Sequence, residues 1–298
     1  MTLRYQVRHQ TAYAYAGPVA HAHHLLHLTP REFSTQHCLE CALEVWPPAA
    51  LQTHRLDAFG NQVTQLELDR AHERFEVTAR MVVELAPRPS WEPGDSLPWE
   101  QVREGLRYAA APTDPVWLDA MRCRTQSAFV PIKSLFEHYA AGCFGSGTPI
   151  LLGTLQLMNK INRDFTYERG ATHIGVTLVE VFEKRRGVCQ DYAHFMIACL
   201  RSLGLAARYV SGYLRSAPLI GEVPRLGADA SHAWIAVFAP PFGWIELDPT
   251  NGLRVNQEHV VLAWGRDFGD VSPLRGVIVG GGTHSLEVGV DVRPIEAQ

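Results

Sequence analysis

The chain has 298 residues and a formal net charge of −4, from 27 basic and 31 acidic side chains. A nucleic acid or an anionic membrane is therefore not an expected partner, because both attract proteins with a clear basic surplus. No window approaches the roughly 18 consecutive apolar residues of a membrane span, and the N-terminal residues lack the pattern of a secretion signal. We expect a cytoplasmic protein of about two domains, with its six cysteines present as thiols.

Residues 1–85 have the pattern of β structure. Between Phe75 and Val83 apolar residues occupy every second position, as in a half-buried strand. Turn-forming pairs such as Gly60-Asn61 separate several such runs, which favours a sandwich. Residues 86–98 then hold four prolines in thirteen positions. We therefore predict a first domain over 1–110, an antiparallel β-sandwich that ends in a proline-rich linker.

The rest of the chain, 111–298, is predicted to form a second domain in which helices pack on an antiparallel sheet. Helical periodicity appears near 116–127, 132–141 and 150–163, and again just before Gly187. The clearest helix begins at about Cys189, whose apolar stripe repeats at helical spacing until Gly204 ends it. Three strands follow, at 206–214, 232–238 and 244–248. Helices followed by a run of strands indicate an α+β fold.

Cys189 is the first candidate for chemistry, because it lies at the start of this helix. The positive end of a helix and its free N–H groups favour a thiolate over a thiol. The same N–H groups, that of Cys189 among them, can hold a developing oxyanion. Taken alone, however, Cys189 is better explained as a small buried cysteine in the core.

His232 and Asp248 change that balance through their strand register. The loop 239–243 has an odd number of residues, so Phe238 can pair with Trp244. His232 and Asp248 then lie diagonally on one face, within about 7–8 Å of each other. Alone, they would be an ordinary strand histidine and a turn-forming aspartate before proline. Together with Cys189 they match the logic of a cysteine acyl-transfer triad.

The motifs around these residues resemble the core of the transglutaminase-like superfamily of bacterial cysteine proteases. The matching stretches are RRGVCQDYAHFMIACLRSLGLAARYVSGYL (185–214), SHAWIAVF (231–238) and GWIELDPTNG (243–252). Earlier stretches, HQTAYAYAGPV (9–19), LLHLTPRE (25–32) and DAFGNQV (57–63), are similar to the β-rich domain that precedes this core in one bacterial branch. The resemblance implies a papain-like core in which Cys189, His232 and Asp248 are the catalytic three.

The resemblance also implies a peptide or amide-containing substrate, cleaved through a thioester. Hydrolysis is favoured, while transfer to an amine and a non-enzymatic scaffold that retains the triad stay open as alternatives. No cofactor or metal is expected, since the chain lacks an Asp-rich loop suited to calcium. The second oxyanion donor is not assigned by the motifs, and Tyr167 and Asn162 are the candidates.

Two further motifs are interpreted mainly as structural. Cys38 and Cys41 have metal-site or redox spacing but stand alone, and positions i and i+3 of a regular strand face opposite sides. A histidine-rich run is expected on a partly exposed strand rather than in a metal site; its members are His21, His23, His24 and His27.

Near the candidate triad, Asp191 is expected to cap the helix or to help shape the substrate site. Trp234 and Trp244 are expected to be core aromatics that flank the site, and Cys199 a core residue.

Overall fold

The computed structural model describes residues 1–107, 114–170, 175–215 and 231–295. Within these ranges the chain forms fourteen strands, seven α-helices and one 3₁₀ turn at Pro93–Asp95. No helix in the described ranges is long and apolar enough to cross a bilayer. The α+β class and the large antiparallel sheets predicted from the sequence are confirmed.

The first sheet has seven strands, all paired antiparallel. Five come from the N-terminal part of the chain and two from the C-terminal part. In chain order they are β1 (Leu3–Leu26), β2 (Gln36–Trp46), β3 (Leu51–Leu56), β4 (Gln62–Leu68), β5 (His72–Leu85), β13 (Leu274–Gly280) and β14 (His284–Ile295).

Strand β1 is long enough to serve both halves of this sheet. Its first half pairs with β5 and β14, and its second half with β4 and β13. Tyr13 pairs with Phe75, yet the ring of His24, much further along β1, stacks on Phe75 with centroids 4.2 Å apart. A straight strand would carry His24 far from that ring, at about 3.3 Å per residue. The two halves therefore face each other, as in a sandwich.

Two strands of this sheet come from the part of the chain that was predicted to form the second domain. We assigned all of 111–298 to the second domain, yet β13 and β14 lie in the first sheet, on the free side of β1. Alternation along a strand indicates which side chains are buried, but it does not identify the partner strand. The boundary predicted near residue 110 falls within 108–113, outside the described residues, and stays a prediction.

The second sheet has five strands in the order β11-β10-β9-β8-β12. Helix α6 (Cys189–Ser202) packs against its central strands β8 and β9. These strands are β8 (Ala207–Leu214), β9 (His232–Phe238), β10 (Trp244–Asp248), β11 (Leu253–Arg254) and β12 (His259–Gly265).

The helices lie between the two parts of the first sheet in sequence. They are α1 (Trp99–Gly105), α2 (Pro115–Arg122), α3 (Ser134–Ala141), α4 (Ile150–Asp164), α5 (Leu178–Lys184), α6 (Cys189–Ser202) and α7 (Phe268–Val271). Three of them, α3, α4 and α5, pack against α6. A short parallel pair, β6 (Thr166–Tyr167) and β7 (Arg186–Gly187), leads into α6. Gly204 follows α6 with φ of +81°, a conformation that glycine adopts readily, as predicted for the helix end.

A buried histidine joins the two sheets. His9 on β1 has Nδ1 2.8 Å from the Tyr213 hydroxyl on β8, and its Nε2 is 2.9 Å from the Thr11 hydroxyl. Burial lowers the pKa of His9 to about 4, so the ring is neutral at physiological pH. The first sheet is therefore fixed against the second by neutral hydrogen bonds rather than by an ion pair.

Candidate active site

Cys189 is the first residue of α6, and the local sequence explains why the helix starts there. Val188 before it has extended backbone, with φ of −106° and ψ of 178°. The Asp191 carboxylate accepts a hydrogen bond from the Val188 N–H at 2.8 Å, which ties the first turn to the preceding chain. A Cβ on Gly187 would come within 2.6 Å of that carboxylate, so this position suits glycine. The capping role predicted for Asp191 is confirmed.

His232 and Asp248 are brought together by the strand register that the sequence predicted. Trp244 pairs with Phe238 across the β9–β10 turn. His232 Nε2 then lies 2.8 Å from Asp248 Oδ2, and both side chains are fully buried. The predicted contact between these two residues is therefore present.

The Asp248 carboxylate accepts hydrogen bonds from other groups besides His232. Oδ1 accepts the backbone N–H groups of Thr250 at 3.0 Å and Asn251 at 3.2 Å. Oδ2 accepts the Asn251 side-chain amide at 2.7 Å in addition to His232. Burial raises the pKa of Asp248, but the charge and hydrogen bond of His232 outweigh burial and hold it well below its usual value. This carboxyl group is an anion at every physiological pH.

The electrostatics of His232 follow from that anion. Burial lowers the pKa of His232, but the Asp248 charge and hydrogen bond, with a smaller contribution from Cys189, raise it to about 10. The ring is therefore an imidazolium at neutral pH. Its second nitrogen, Nδ1, is buried and has no hydrogen-bond partner among the nitrogens and oxygens of the described residues. Cys189 is the group that interacts with His232 from the cleft.

His259 is a residue of this site that the sequence did not reveal. It opens β12, and its Nε2 lies 3.3 Å from the same Asp248 oxygen that binds His232. Burial lowers the pKa of His259, so the ring is neutral and carries one N–H. We place that proton on Nε2, because a carboxylate is the stronger acceptor. No local motif marks His259, since its approach depends on the pairing of β12 with β8.

Three of these groups could in principle ligate a metal. The ligand atoms of His232, Asp248 and His259 lie within 4.8 Å of one another. Ligands around a tetrahedral zinc ion, each about 2.0–2.1 Å from the metal, would stand about 3.3 Å apart. The 2.8 Å between His232 Nε2 and Asp248 Oδ2 is instead the length of a charge-assisted hydrogen bond. The absence of a metal expected from the sequence stays a prediction.

The two candidates for a second oxyanion donor have different positions. The Asn162 side-chain amide donates to the carbonyls of Pro249 at 3.2 Å and Thr250 at 2.8 Å. It is therefore used to hold the turn that follows Asp248. Tyr167 lines the same cleft as Cys189. Tyr167 remains the candidate, and Asn162 is a positioning residue.

The cleft beside Cys189 has a volume of about 370 Å³. Cys189 and His232 lie on its wall, together with Tyr209 and Ser211 of β8. Val288 of β14 completes one side, so the first sheet contributes to the cleft wall. None of the described residues that line this cleft belongs to the histidine-rich run of β1.

The four histidines of that run have separate environments. His21 and His23 are exposed, whereas His24 is buried against Phe75. His27 Nδ1 lies 3.1 Å from the Ser272 carbonyl oxygen. With two of its histidines exposed and two buried, the run lies on a partly exposed strand, as the sequence predicted.

The structural interpretation of Trp234, Cys199 and Trp244 is confirmed, whereas Cys38 and Cys41 do not face opposite sides as expected. Trp234 and Cys199 are fully buried, and Trp244 is partly buried against the core. In a regular strand the two cysteines would face opposite sides of the sheet. A β-bulge interrupts β2 between Cys38 and Glu40, so they do not. The two cysteines pair with Val83 and Met81, which lie on one face of β5.

Comparisons with known proteins agree with this architecture. Residues 5–84 match the family model for the bacterial transglutaminase-like N-terminal region, and residues 137–249 match that for the transglutaminase-like superfamily. The uncharacterized protein Rv2569c of Mycobacterium tuberculosis is 37% identical over 304 residues, covering 99% of this chain and 94% of that protein. A protein-glutamine gamma-glutamyltransferase of Pseudomonas aeruginosa is 34% identical over 104 residues, which cover 32% of this chain and 15% of that protein.

A solved structure shares the fold over the whole chain. The crystal structure of a candidate cysteine protease from Cytophaga hutchinsonii superposes with a TM-score of 0.76 at 19% identity, covering 100% of this chain and 92% of that one. At that identity the likeness concerns the fold alone. The two family matches and the full-length relative show that this chain belongs to the transglutaminase-like superfamily and carries its bacterial N-terminal region.

Proposed function

We propose that this protein is a cysteine-nucleophile acyl-transfer enzyme that hydrolyses peptide or amide bonds through a thioester. Cys189 is the nucleophile, His232 the general acid and base, and Asp248 the group that orients the imidazole. One observation carries the proposal: an imidazolium held by a buried carboxylate shares a cleft with a thiol at a helix N-terminus. That arrangement is suited to cysteine acyl transfer.

The charges of the site define the first chemical step. In the proposed first step Cys189 reacts as a thiolate, next to the positively charged His232 ring and at the positive end of α6. The thiolate sulfur attacks the substrate carbonyl carbon, and the carbonyl electrons move onto its oxygen. That oxyanion is stabilised by the Cys189 backbone N–H, which has no acceptor inside its own helix. We assign the second donor to the Tyr167 hydroxyl, since Tyr167 lines the same cleft.

Collapse of the tetrahedral intermediate needs a proton for the leaving amine. His232 donates it from the nitrogen that faces Cys189, and the C–N bond breaks to leave a thioester on the sulfur. The neutral imidazole then takes a proton from water, whose oxygen attacks the thioester and releases the acid. Asp248 keeps its negative charge throughout and holds the ring in one orientation.

The acceptor of the acyl group distinguishes hydrolysis from transfer. Hydrolysis is favoured by the fold shared with the Cytophaga protein, and transfer to an amine by the partial match to the glutamyltransferase. The experiment is a peptide-library incubation with and without an added primary amine, followed by mass spectrometry. New carboxyl termini in both reactions support hydrolysis, whereas amine adducts that replace them support a transferase.

The matched control for that experiment is Cys189→Ala. Loss of one sulfur at a helix end removes little packing, so the variant should keep the thermal unfolding midpoint and lose all product. If wild type and Cys189→Ala are equally inert towards the library and towards an amide-mimicking thiol probe, the non-enzymatic scaffold is the better interpretation.

The location stays a proposal as well. We propose that the protein acts in the cytoplasm on soluble peptides or amides, as the composition suggests. Fractionation of cells that express the chain, with immunodetection in each fraction, tests this. Recovery in a periplasmic or secreted fraction would contradict it.

A further inference from the structure

The cysteines on β2 form a pair that the proposed acyl-transfer chemistry does not use. Cys38 pairs with Val83 and Glu40 with Val82, so Leu39 is the extra residue of a β-bulge. Cys41 then pairs with Met81. Val83 and Met81 are both buried on one face of β5, and Cys38 and Cys41 take that face on the neighbouring strand. The bulge therefore turns an i, i+3 spacing into neighbours on one side.

The contacts of the two thiols show that they are close enough to interact. Cys38 and Cys41 hydrogen-bond each other, and the Thr29 hydroxyl is a further partner of Cys41. The hydrogen bond to Cys41 raises the pKa of Cys38, and the same bond lowers the pKa of Cys41 to about 7. Cys41 is thus the more acidic thiol of the pair, while the Cys38 thiol also donates to the Glu40 carbonyl at 3.3 Å.

Solvent can reach this pair. Cys41 is exposed and Cys38 half-buried, whereas Cys123, Cys143 and Cys199 are buried. Strand β2 is the outer strand of its half of the sheet, paired with β5 alone. A reactive thiolate, a neighbouring thiol and open access are the features of a dithiol that exchanges with disulfides.

We infer that Cys38 and Cys41 form a second thiol site, a dithiol that is oxidised to an intramolecular disulfide by low-molecular-weight disulfides such as oxidised glutathione. The Cys41 thiolate attacks one sulfur of the reagent, forms a mixed disulfide and expels one glutathione thiolate. Cys38 loses its proton, attacks the Cys41 sulfur and expels the second thiolate. The protein loses two electrons and two protons, which leave in two molecules of glutathione.

The test uses the full chain carrying Cys189→Ala, so that the proposed nucleophile does not compete. The protein is incubated with oxidised glutathione and then denatured, its remaining thiols are alkylated, and tryptic peptides are analysed by mass spectrometry. Cys38 and Cys41 fall in one peptide, residues 32–55, so an internal disulfide appears there as the loss of two hydrogens without alkylation. We expect this product at glutathione concentrations that leave Cys123 and Cys143 fully alkylated.

Single variants separate the roles of the two thiols. Cys38→Ser should stop at the mixed disulfide on Cys41, because the resolving thiol is gone. Cys41→Ser should form little adduct on Cys38, because burial and the charge of Glu32 still raise the pKa of Cys38 when the bond to Cys41 is lost. Equal adduct formation in both variants would contradict the assignment of Cys41 as the attacking thiol.

A matched double variant tests the geometry itself. Cys41→Ala with Ala42→Cys keeps the number of thiols on β2 but moves one to the opposite face, since neighbouring residues of a strand alternate. Provided that thermal unfolding confirms the fold, this variant should form mixed disulfides and no internal disulfide. An internal disulfide as rapid as in the parent, or none in the parent, would overturn the inference.

Discussion

His259 Nε2 lies 3.3 Å from Asp248 Oδ2, the oxygen that also accepts from His232 at 2.8 Å. Two imidazoles therefore share one carboxylate oxygen, one charged and one neutral. The neutral His259 ring donates a hydrogen bond to Asp248 and adds no second positive charge beside it. His259 thus acts on the proposed chemistry through Asp248, as a positioning residue.

We expect His259→Leu to lower kcat/KM by about tenfold or more, because a hydrogen bond to a charged group contributes about 1.5–3 kcal/mol. His259→Gln, which keeps an N–H donor, should recover part of the activity. The hydrogen bond from His259 is one of the contributions that lower the pKa of Asp248, so its loss should move the acid limb of the pH–rate profile upward. Equal losses in both variants with an unchanged profile would indicate a packing role alone.

The reactivity of Cys189 can be measured directly. We expect iodoacetamide at about pH 6 to alkylate Cys189 selectively over the buried thiols, because an ordinary thiol is almost wholly protonated there. Burial raises the pKa of Cys123, Cys143 and Cys199, which should label slowly. Peptide mapping across a pH series is the measurement.

Two variants and one internal reference sharpen that experiment. His232→Ala should remove most of the selectivity for Cys189, and Asp248→Ala should weaken it less, since the aspartate acts through the ring. Cys41 should label in every variant alike, because its thiolate depends on Cys38 and Thr29. Labelling of Cys189 no faster than that of Cys123 would argue against the nucleophile assignment.

The His232–Asp248 pair should make stability depend on pH at the alkaline side. The folded-state pKa of His232, about 10, lies above its ordinary value of 6.5. The unfolded chain therefore binds fewer protons between these values, so stability is fully present below about pH 6.5 and falls as pH rises towards 10. Denaturant midpoints measured across this range should decline in wild type, and the decline should be smaller in Asp248→Asn. Parallel declines would assign the effect to other groups.

The stability of the fold at acidic pH should depend on His9. Folding lowers the pKa of His9, whereas it raises that of His232. Burial lowers the pKa of His9 to about 4, so the unfolded chain binds more protons between that value and 6.5. Stability should fall as pH drops through this window. His9→Gln should reduce the fall if its amide replaces the neutral ring between Thr11 and Tyr213. Hydrogen exchange of β1 and β8 at pH 5 would locate the loosening at this contact.

Asn162 should affect the rate more than substrate binding. Its amide holds the carbonyls of Pro249 and Thr250, and Asn162→Ala removes two hydrogen bonds of about 0.5–1.5 kcal/mol each. A looser turn misplaces Asp248, so kcat should fall several-fold with little change in KM. Gln156→Ala, an exposed position on the same helix, is the control. An unchanged kcat in Asn162→Ala would remove it from the positioning set.

The sequence predicted those parts of the site that local patterns determine. The helix start at Cys189 follows from its apolar stripe, and the facing of His232 and Asp248 follows from loop parity between two neighbouring strands. Both are short-range properties of the chain. The catalytic role of the three side chains stays a prediction.

The features that the sequence did not predict all depend on distant pairing. His259 reaches Asp248 because β12 lies on the far side of β8, and the bulge at Leu39 appears only against β5. The alternating pattern along β13 and β14 indicates which of their residues share a face. It does not identify β1 as their partner strand. Which distant strand becomes the partner depends on the whole fold, and the sequence of one strand contains little information about it.

The pairing of β1 with β14 has a consequence for synthesis. Residues 4–15 find their partners at 284–295, so one side of this half of β1 has no neighbour until residues 284–295 have left the ribosome. Unpaired strand edges of nascent chains are prone to aggregation. Completion of the first sheet is therefore a late event, and the cleft wall at Val288 is assembled only with it. A fragment truncated before β13 would lack both the sheet partners of β1 and that cleft wall. Formation of the cleft therefore requires β13 and β14 to be paired with β1.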